Sequence, residues 1–369
     1  MRWIGLGPTI RDVARVAGVS KSTVSRVLNA DPNVAEETRC AVFAAIKEIG
    51  YTRNALARGL NTRRTGTIGL IMSDITNPFH AEVARGVEDL ASDFDSNVIL
   101  CNTDGRPKKE AAYIDLLVEK RVDGIIFTSV KAGESDMSNL RSKRIPFVFA
   151  GRTLPDVEAD SVVVDNVLGG FQAATHLVRL GHQRVAYLAG PSHVSASADR
   201  YEGYCQALRR AGVELDPQLV VEGDFKQEGG YRAMSTLLDR APGVTAVFAA
   251  NDYMAMGALE AIYERGFRVP EDIAVVGFDD IPFARLHLVQ LTTVAQPKYD
   301  IGAIAARMLF ERIEGKVGDE QQPRRVVLPP RLVVRRTCGE YHRREGAGET
   351  GGQSRSGELS PGEAQTATT

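Results

Sequence analysis

The sequence predicts a small all-α head followed by a larger α/β body made of two Rossmann-like parallel sheets. Helical periodicity dominates residues 9–60, and after Gly66 and Thr67 short β-branched runs begin to alternate with longer amphipathic stretches. These runs are too many for one sheet of ordinary width. The alternation also restarts at RVAYLAG, near residue 184, behind a helical stretch that ends in Gly181.

Residues 1–8 read as a flexible start. Thr9 to Asn29 (TIRDVARVAGVSKSTVSRVLN) reads as two short helices. Thr9 can cap the first, whose inward face is Val13, Ala14 and Val16. Gly18 supplies the turn, and Ser20 caps a second helix whose Val24, Val27 and Leu28 face the core. Lys21, Ser22, Ser25 and Arg26 are left pointing outward. Two short helices about a glycine match the helix-turn-helix pattern, whose second helix lies in the DNA major groove. There Lys21 and Ser22 could reach base edges or phosphates, and Arg26 could make a bidentate contact to guanine. Residues 1–65 hold eleven Lys and Arg against five acids, about +6 in a chain whose formal net charge is -2. A basic head on an acidic body is the footprint of a nucleic-acid binder.

The body's apolar runs are TIGLIM, NVILCNT, DGIIFTSV, PFVFAG, SVVVDN, RVAYLAG, AVFAAND and IAVVGFD. Helix-like segments such as Phe79–Phe94, Glu110–Lys120, Gly169–Leu180, Arg200–Ala211 and Tyr253–Arg265 separate them. Apolar strands alternating with helices indicate parallel sheets covered on both faces. Ligands of such sheets bind beyond the carboxyl ends of the strands, so two facing lobes make a cleft. Residues 340–369 are rich in Gly, Ser, Glu and Thr and cannot bury enough surface to offset their ordering entropy; they read as a disordered tail. That tail has no leucine heptad to support a tetramer.

Other function classes find little support. The four cysteines lie far apart with no CxxC, and the six histidines show no metal-type pairing, so neither a metal nor a cofactor is expected. No apolar run approaches the roughly 18 residues of a membrane span, and the start is too short for a secretory signal. GxSxG, a Walker loop and a GxGxxG after the first strand are all missing, which argues against an enzyme.

The head string, together with VAEETRCAVFAAIKEIGY (Val34–Tyr51) and NALARGL (Asn54–Leu60), resembles the LacI/GalR family of lactose, ribose and purine repressors. The resemblance continues to about Arg335. It implies a sequence-specific DNA-binding transcription regulator of the cytoplasm, associated with the nucleoid, acting as a homodimer on a palindromic double-stranded operator. DNA contacts would come from Thr9, Ser20, Lys21, Ser22, Thr23, Ser25, Arg26 and Asn29. Asn54, Ala57, Arg58 and Leu60 would lie on a hinge helix that orders on the operator's minor groove, with Leu60 as a wedge. Seven residues are too few for a stable isolated helix, so such a segment folds only on DNA. An apolar wedge costs a few kcal/mol of unstacking, offset by the contacts a kinked duplex allows.

The body also resembles the periplasmic ribose- and galactose-binding proteins, which implies a two-lobed periplasmic-binding-protein-like effector domain. Matched to the ribose type, Asn77, Phe79, His80, Arg152, Arg200, Phe225, Asn251, Asp279 and Gln296 would surround an effector. Planar polar groups suit sugar hydroxyls, and aromatic rings suit sugar C–H faces. His80 replaces a second Phe and Gly151 replaces an Asp of the ribose binders. Those departures point away from ribose itself, toward another pentose, a hexose or a small glycoside.

The expected organisation is a head over 9–53, a hinge and linker over 54–65, and an effector domain over 66–339. Within it the N-lobe spans about 66–164 and 294–324, and the C-lobe about 165–293 and 325–339. The expected function is a repressor of carbohydrate-use genes released by a sugar. The alternative is a regulator that takes a purine or nucleoside effector, including as corepressor.

Overall fold

A computed structural model of the chain describes residues 8–29, 31–51, 64–130, 137–154, 157–318 and 321–340. The chain divides at Gly66 into two compact units. The hinge candidates Asn54, Ala57, Arg58 and Leu60 lie outside the described residues, as does the tail from residue 341.

Among its described residues the first unit holds three helices, α1 (Ile10–Val16), α2 (Lys21–Leu28) and α3 (Glu36–Ile49). At α1 the Asp12 carboxylate accepts from both the Thr9 N–H (3.0 Å) and the Thr9 hydroxyl (2.8 Å). Gly18, at φ +68°, makes the left-handed turn that a side chain would strain. Ser20 Oγ then accepts the Thr23 N–H at 3.0 Å and so caps α2. Val13, Ala14, Val24, Val27, Val42 and Ala45 form the core. Val16, expected inside, is 41% exposed. Val13 and Ala14 already fill the contact with α2 and α3, and the short helix turns Val16 away from it.

The second unit holds two six-stranded sheets. The first runs β11-β5-β4-β3-β1-β2, all parallel. Its strands are β1 (Thr67–Met72), β2 (Asn97–Asn102), β3 (Gly124–Phe127), β4 (Phe147–Ala150), β5 (Asp160–Val164) and β11 (Arg325–Leu328). The second runs β12-β10-β9-β8-β6-β7, parallel except for β12. It comprises β6 (Val185–Ala189), β7 (Val220–Glu222), β8 (Ala246–Ala249), β9 (Ala274–Asp279), β10 (Thr292–Ala295) and β12 (Arg331–Val333). Strands β1, β3, β6, β8 and β9 are almost wholly buried, as continuous apolar runs demand when helices cover both faces.

Helices α4 (Pro78–Asp93), α5 (Pro107–Glu119), α6 (Ser138–Ser142) and α11 (Lys298–Ile313) cover the first sheet. Helices α7 (Asn166–Arg179), α8 (Ser195–Ala211), α9 (Gln227–Arg240) and α10 (Asp252–Glu264) cover the second. The pair α7 and α8 packs with backbones almost touching. A Cβ at Gly170 would meet the Arg200 carbonyl at 2.2 Å, and one at Gly203 the Val167 carbonyl at 2.1 Å. This close packing fixes the backbone of Arg200.

Two boundaries differ from expectation. The chain crosses between lobes near residues 165, 297 and 330, so Arg325–Leu328 belongs to the first lobe and all of Thr292–Ala295 to the second. Pro329-Pro330 explains the first point. Neither proline can donate to a ladder, so the strands on either side need not share a sheet.

Candidate functional site

On α2, Lys21, Ser22, Arg26 and Asn29 are exposed, while Thr23 and Ser25 are half-buried. Ser20 Oγ lies 2.7 Å from Ser22 Oγ and 2.8 Å from Thr23 Oγ1, so the hydroxyls at the helix start form one cluster. Lys21 and Arg26 make no ion pair among the described residues. The helix therefore presents two uncommitted cations and a row of small polar groups on one side, and packs Val24 and Val27 on the other.

In the second unit one cavity of about 330 Å³ lies between the lobes, within the usual size range of small-molecule sites. All nine effector candidates line it: Asn77, Phe79, His80, Arg152, Arg200, Phe225, Asn251, Asp279 and Gln296. The topology accounts for this gathering. In each sheet the strand order reverses beside the first strand of the lobe, and the loops beyond the strand carboxyl ends open a crevice there.

The second lobe's polar groups are held from behind. Arg200 stacks on the Phe278 ring, with its guanidinium carbon 3.8 Å from the ring centroid. Its Nε donates to Asn166 Oδ1 at 2.9 Å, and its Nη1 donates to the Ala250 carbonyl. Asp279 Oδ1 accepts from Gln296 Nε2 at 2.6 Å, and the Asp279 carbonyl accepts from Lys298 Nζ at 2.8 Å. Burial pushes the Asp279 carboxyl up to about 6, against the opposing pull of Arg200 and Lys298. Behind it Asp252 is fully buried, with its carboxyl raised well above the usual range by burial and then by Asp279. Asn251 Oδ1 caps α10 through the Met254 N–H at 2.8 Å, and its Nδ2 donates to the Phe225 carbonyl at 3.1 Å.

Three wall residues hold backbone conformations that side chains disfavour, Asp104 at φ +55°, Phe225 at φ +65° and Asp279 at φ +122°. Such strain persists only where the surroundings over-determine it, and it clusters at binding sites. Phe225 also needs Gly190, because a Cβ there would meet its ring at 2.2 Å.

In the first lobe, Asn77 caps α4 by accepting the Phe79 N–H at 3.0 Å. His80 Nε2 lies 2.9 Å from Ser73 Oγ, and its Nδ1 lies 3.3 Å from Thr128 Oγ1. Burial, then the Arg152 charge, lowers its pKa to about 3, so the ring is a neutral hydrogen-bonding group. Arg152 differs. Its guanidinium carbon sits 5.3 Å from the Phe225 centroid, and it has no hydrogen bond or ion pair among the described residues. Burial, then Arg200, lowers its pKa to about 10. Gly151 beside it adopts φ +86°, which explains why glycine stands there.

Sequence reasoning missed several wall residues. Asp74, Asp104 and Asp224 follow strands β1, β2 and β7, and the rule placing ligands beyond strand ends could have found them. Each is engaged close by: Asp74 by Thr76 of its own loop, Asp104 by Lys109 on α5 and Asp224 by Arg232 on α9. Glu110, only 2% exposed on α5, had no signal of that kind.

Residues 65–336 match the family model for periplasmic binding proteins and the sugar-binding domain of the LacI family, and residues 9–54 match that for bacterial regulatory proteins of the lacI family. The chain belongs to the LacI family. It is a DNA-binding transcriptional regulator, not an enzyme. It is 40% identical to the HTH-type transcriptional regulator DegA of Bacillus subtilis, over 89% of this chain and 97% of that one. Identity to the HTH-type transcriptional repressor PurR of Haemophilus influenzae is 36%, over 89% and 98%. Among solved structures, the regulator CelR in complex with cellobiose matches at 38% identity and TM-score 0.69, covering 89% of this chain and 99% of that one. The lac repressor dimer bound to operator and an anti-inducer matches at 29% identity and TM-score 0.80, covering 90% and 99%. Among the described residues no helix is long and apolar enough to cross a membrane.

Proposed function

We propose that this regulator represses carbohydrate-use genes in the cytoplasm and is released by a saccharide bound between its lobes. It acts as a homodimer on a palindromic operator, because each head reads one half-site. The observation that carries the reading is the cavity wall. Arg, Asp, Asn and Gln groups converge there with the rings of Phe79 and Phe225, which suits a ligand with many hydroxyls and apolar C–H faces. Asn77, Phe79, His80, Arg152, Arg200, Phe225, Asn251, Asp279 and Gln296 take the effector role. Thr9, Ser20, Lys21, Ser22, Thr23, Ser25, Arg26 and Asn29 contact the operator, with Asn54, Ala57, Arg58 and Leu60 at the minor groove. Effector closing the cleft shifts the hinge segments, and by reciprocity the DNA-bound protein holds the effector less tightly.

The PurR relative supports a second reading, in which a purine fills the cleft as corepressor. Thermal-shift screening of the intact chain against monosaccharides, disaccharides and purines decides between them, since a ligand of the folded state raises the melting temperature. Stabilisation by a saccharide together with weakened operator binding is the expected outcome. Stabilisation by a purine alone would overturn it.

A further inference from the structure

The turn that carries Asp279 into the cavity is strained at two consecutive residues, Asp279 at φ +122° and Asp280 at φ +55°. Its side chains and amide are held from within the second lobe. Asp252 Oδ2 accepts the Ile281 N–H at 2.9 Å, and Arg335 Nη2 donates to Asp280 Oδ1 at 2.6 Å. Its carbonyls are held by another group. Lys298 Nζ donates to the Asp279 carbonyl and to the Asp280 carbonyl, each at 2.8 Å. Glu82 Oε2 lies 3.5 Å from the same nitrogen, and the lysine side chain is only 5% exposed. An ammonium has three donors and no acceptor, so two carbonyls and one carboxylate match its full capacity.

Those three acceptors do not share a lobe. The carbonyls follow β9 in the second lobe, whereas Lys298 opens α11 and Glu82 lies on α4, both on the first sheet. Helices α4 and α11 are locked together. A Cβ at Gly86 would meet the Tyr299 carbonyl at 2.1 Å, and one at Gly302 the Val83 carbonyl at 2.0 Å. The start of α4 in turn bears the wall residues Asn77, Phe79 and His80. A further contact across the cleft, from the Thr153 N–H to Ser195 Oγ, spans 3.5 Å and is weak by comparison. We infer that Lys298 is a positioning residue that sets the register of the two lobes. It ties the turn bearing Asp279 to the helix pair bearing Asn77, Phe79 and His80, and it carries a displacement of either across the cleft. A ligand that pulls on the Asp279 carboxylate shifts the peptide whose carbonyl Lys298 holds, and bonds from an ammonium are the strong kind. Such coupling runs equally in both directions. The role rests on the assignment of Asp279 to the effector wall, and it holds whichever ligand binds there.

Hydrogen–deuterium exchange on the ligand-free intact chain tests this without an effector. The Ile281 amide reports on the turn, and the amides of residues 80–84 report on the start of α4. Lys298→Met is expected to speed exchange at both by roughly fivefold or more, with β6 and β8 unchanged. The second variant is Glu82→Ala, at a position 37% exposed, where alanine keeps the helix propensity of α4. It leaves a buried ammonium with two neutral acceptors and is expected to speed Ile281 exchange, in the opposite lobe, by about twofold or more. In the Lys298→Met background it is expected to add nothing at Ile281. Should Lys298→Met fold poorly, the single Glu82→Ala variant decides alone. Ile281 exchange untouched by Glu82→Ala, or moved equally in both backgrounds, would reduce Lys298 to a local cap and overturn the proposal. A Lys298→Met effect confined to the turn overturns it as well. None of these outcomes bears on which ligand the cavity takes, which the thermal-shift screen decides separately.

Discussion

The two lobes contribute to one cavity in different states of readiness. In the second lobe Arg200, Asn251 and Asp279 are each held by at least two partners before any ligand arrives. In the first lobe Arg152 rests against a ring contributed by the other lobe and has no hydrogen bond or ion pair among the described residues. The second lobe thus acts as a preorganised template, whose ordering cost was met on folding. The first lobe keeps a cation whose geometry the ligand completes. Selectivity belongs to the former, since a mismatched ligand strands its fixed groups, and each buried unpaired group costs about 1–3 kcal/mol.

The strongest way to break this contrast is Arg200→Met. Removing the cation orphans Asn166 Oδ1 and takes away the guanidinium 3.8 Å from the Asp279 carboxylate. Urea unfolding should show a loss of about 3–5 kcal/mol, the range for breaking a buried pair. A loss under 1 kcal/mol would contradict the template description.

Asp279→Asn separates stability from binding. The fold favours the protonated carboxyl, because its pKa rises from 3.8 to about 6. The stability this lends is fully present below pH 3.8 and lost as pH climbs through about 6. The amide escapes that loss. The ligand-free variant should therefore match the wild type near pH 4 and melt higher at pH 8. Its effector affinity should fall by about 2 kcal/mol, the worth of a hydrogen bond to a charged group. A variant less stable than the wild type at pH 8 would show that the Arg200 and Lys298 interactions outweigh burial.

Arg152→Gln sharpens the contrast from the first lobe. With no hydrogen bond or ion pair to lose, the ligand-free protein should keep its unfolding free energy within about 1 kcal/mol. The smallest effect lies in the core. Tyr187 is fully buried with its hydroxyl unpartnered, so Tyr187→Phe should leave stability unchanged or raise it by up to about 1 kcal/mol in the same urea assay.

Much of this architecture was legible in the sequence, for reasons that differ by region. The head could be read because Val13 and Ala14 lie between the Thr9 cap and Gly18, and Val24 and Val27 repeat at helical spacing behind the Ser20 cap. The eight apolar runs of the body each became a strand, because a strand covered on both faces has no polar alternation to obscure it. Four strands escaped notice: β7, β11 and β12 at the sheet edges, being short and half exposed, and β10, a buried interior strand of four residues that opens on two threonines. The nine wall residues were readable as a set only by resemblance, since Asn251 and Asp279 taken singly look like ordinary helix or strand ends. What no string displays is commitment. Arg152 and Arg200 look alike in the sequence, and only the fold shows one fastened and the other open.

The order in which the body crosses between its lobes bears on how it is made. The first lobe takes its helix α11 and edge strand β11 from residues 298–328, after the whole of the second lobe's parallel sheet has passed. The head, by contrast, has all three of its helices by residue 49. During synthesis on the ribosome a DNA-reading unit therefore emerges hundreds of residues before the lobe that follows it can close. A chain halted short of residue 298 would carry the head without a complete effector site.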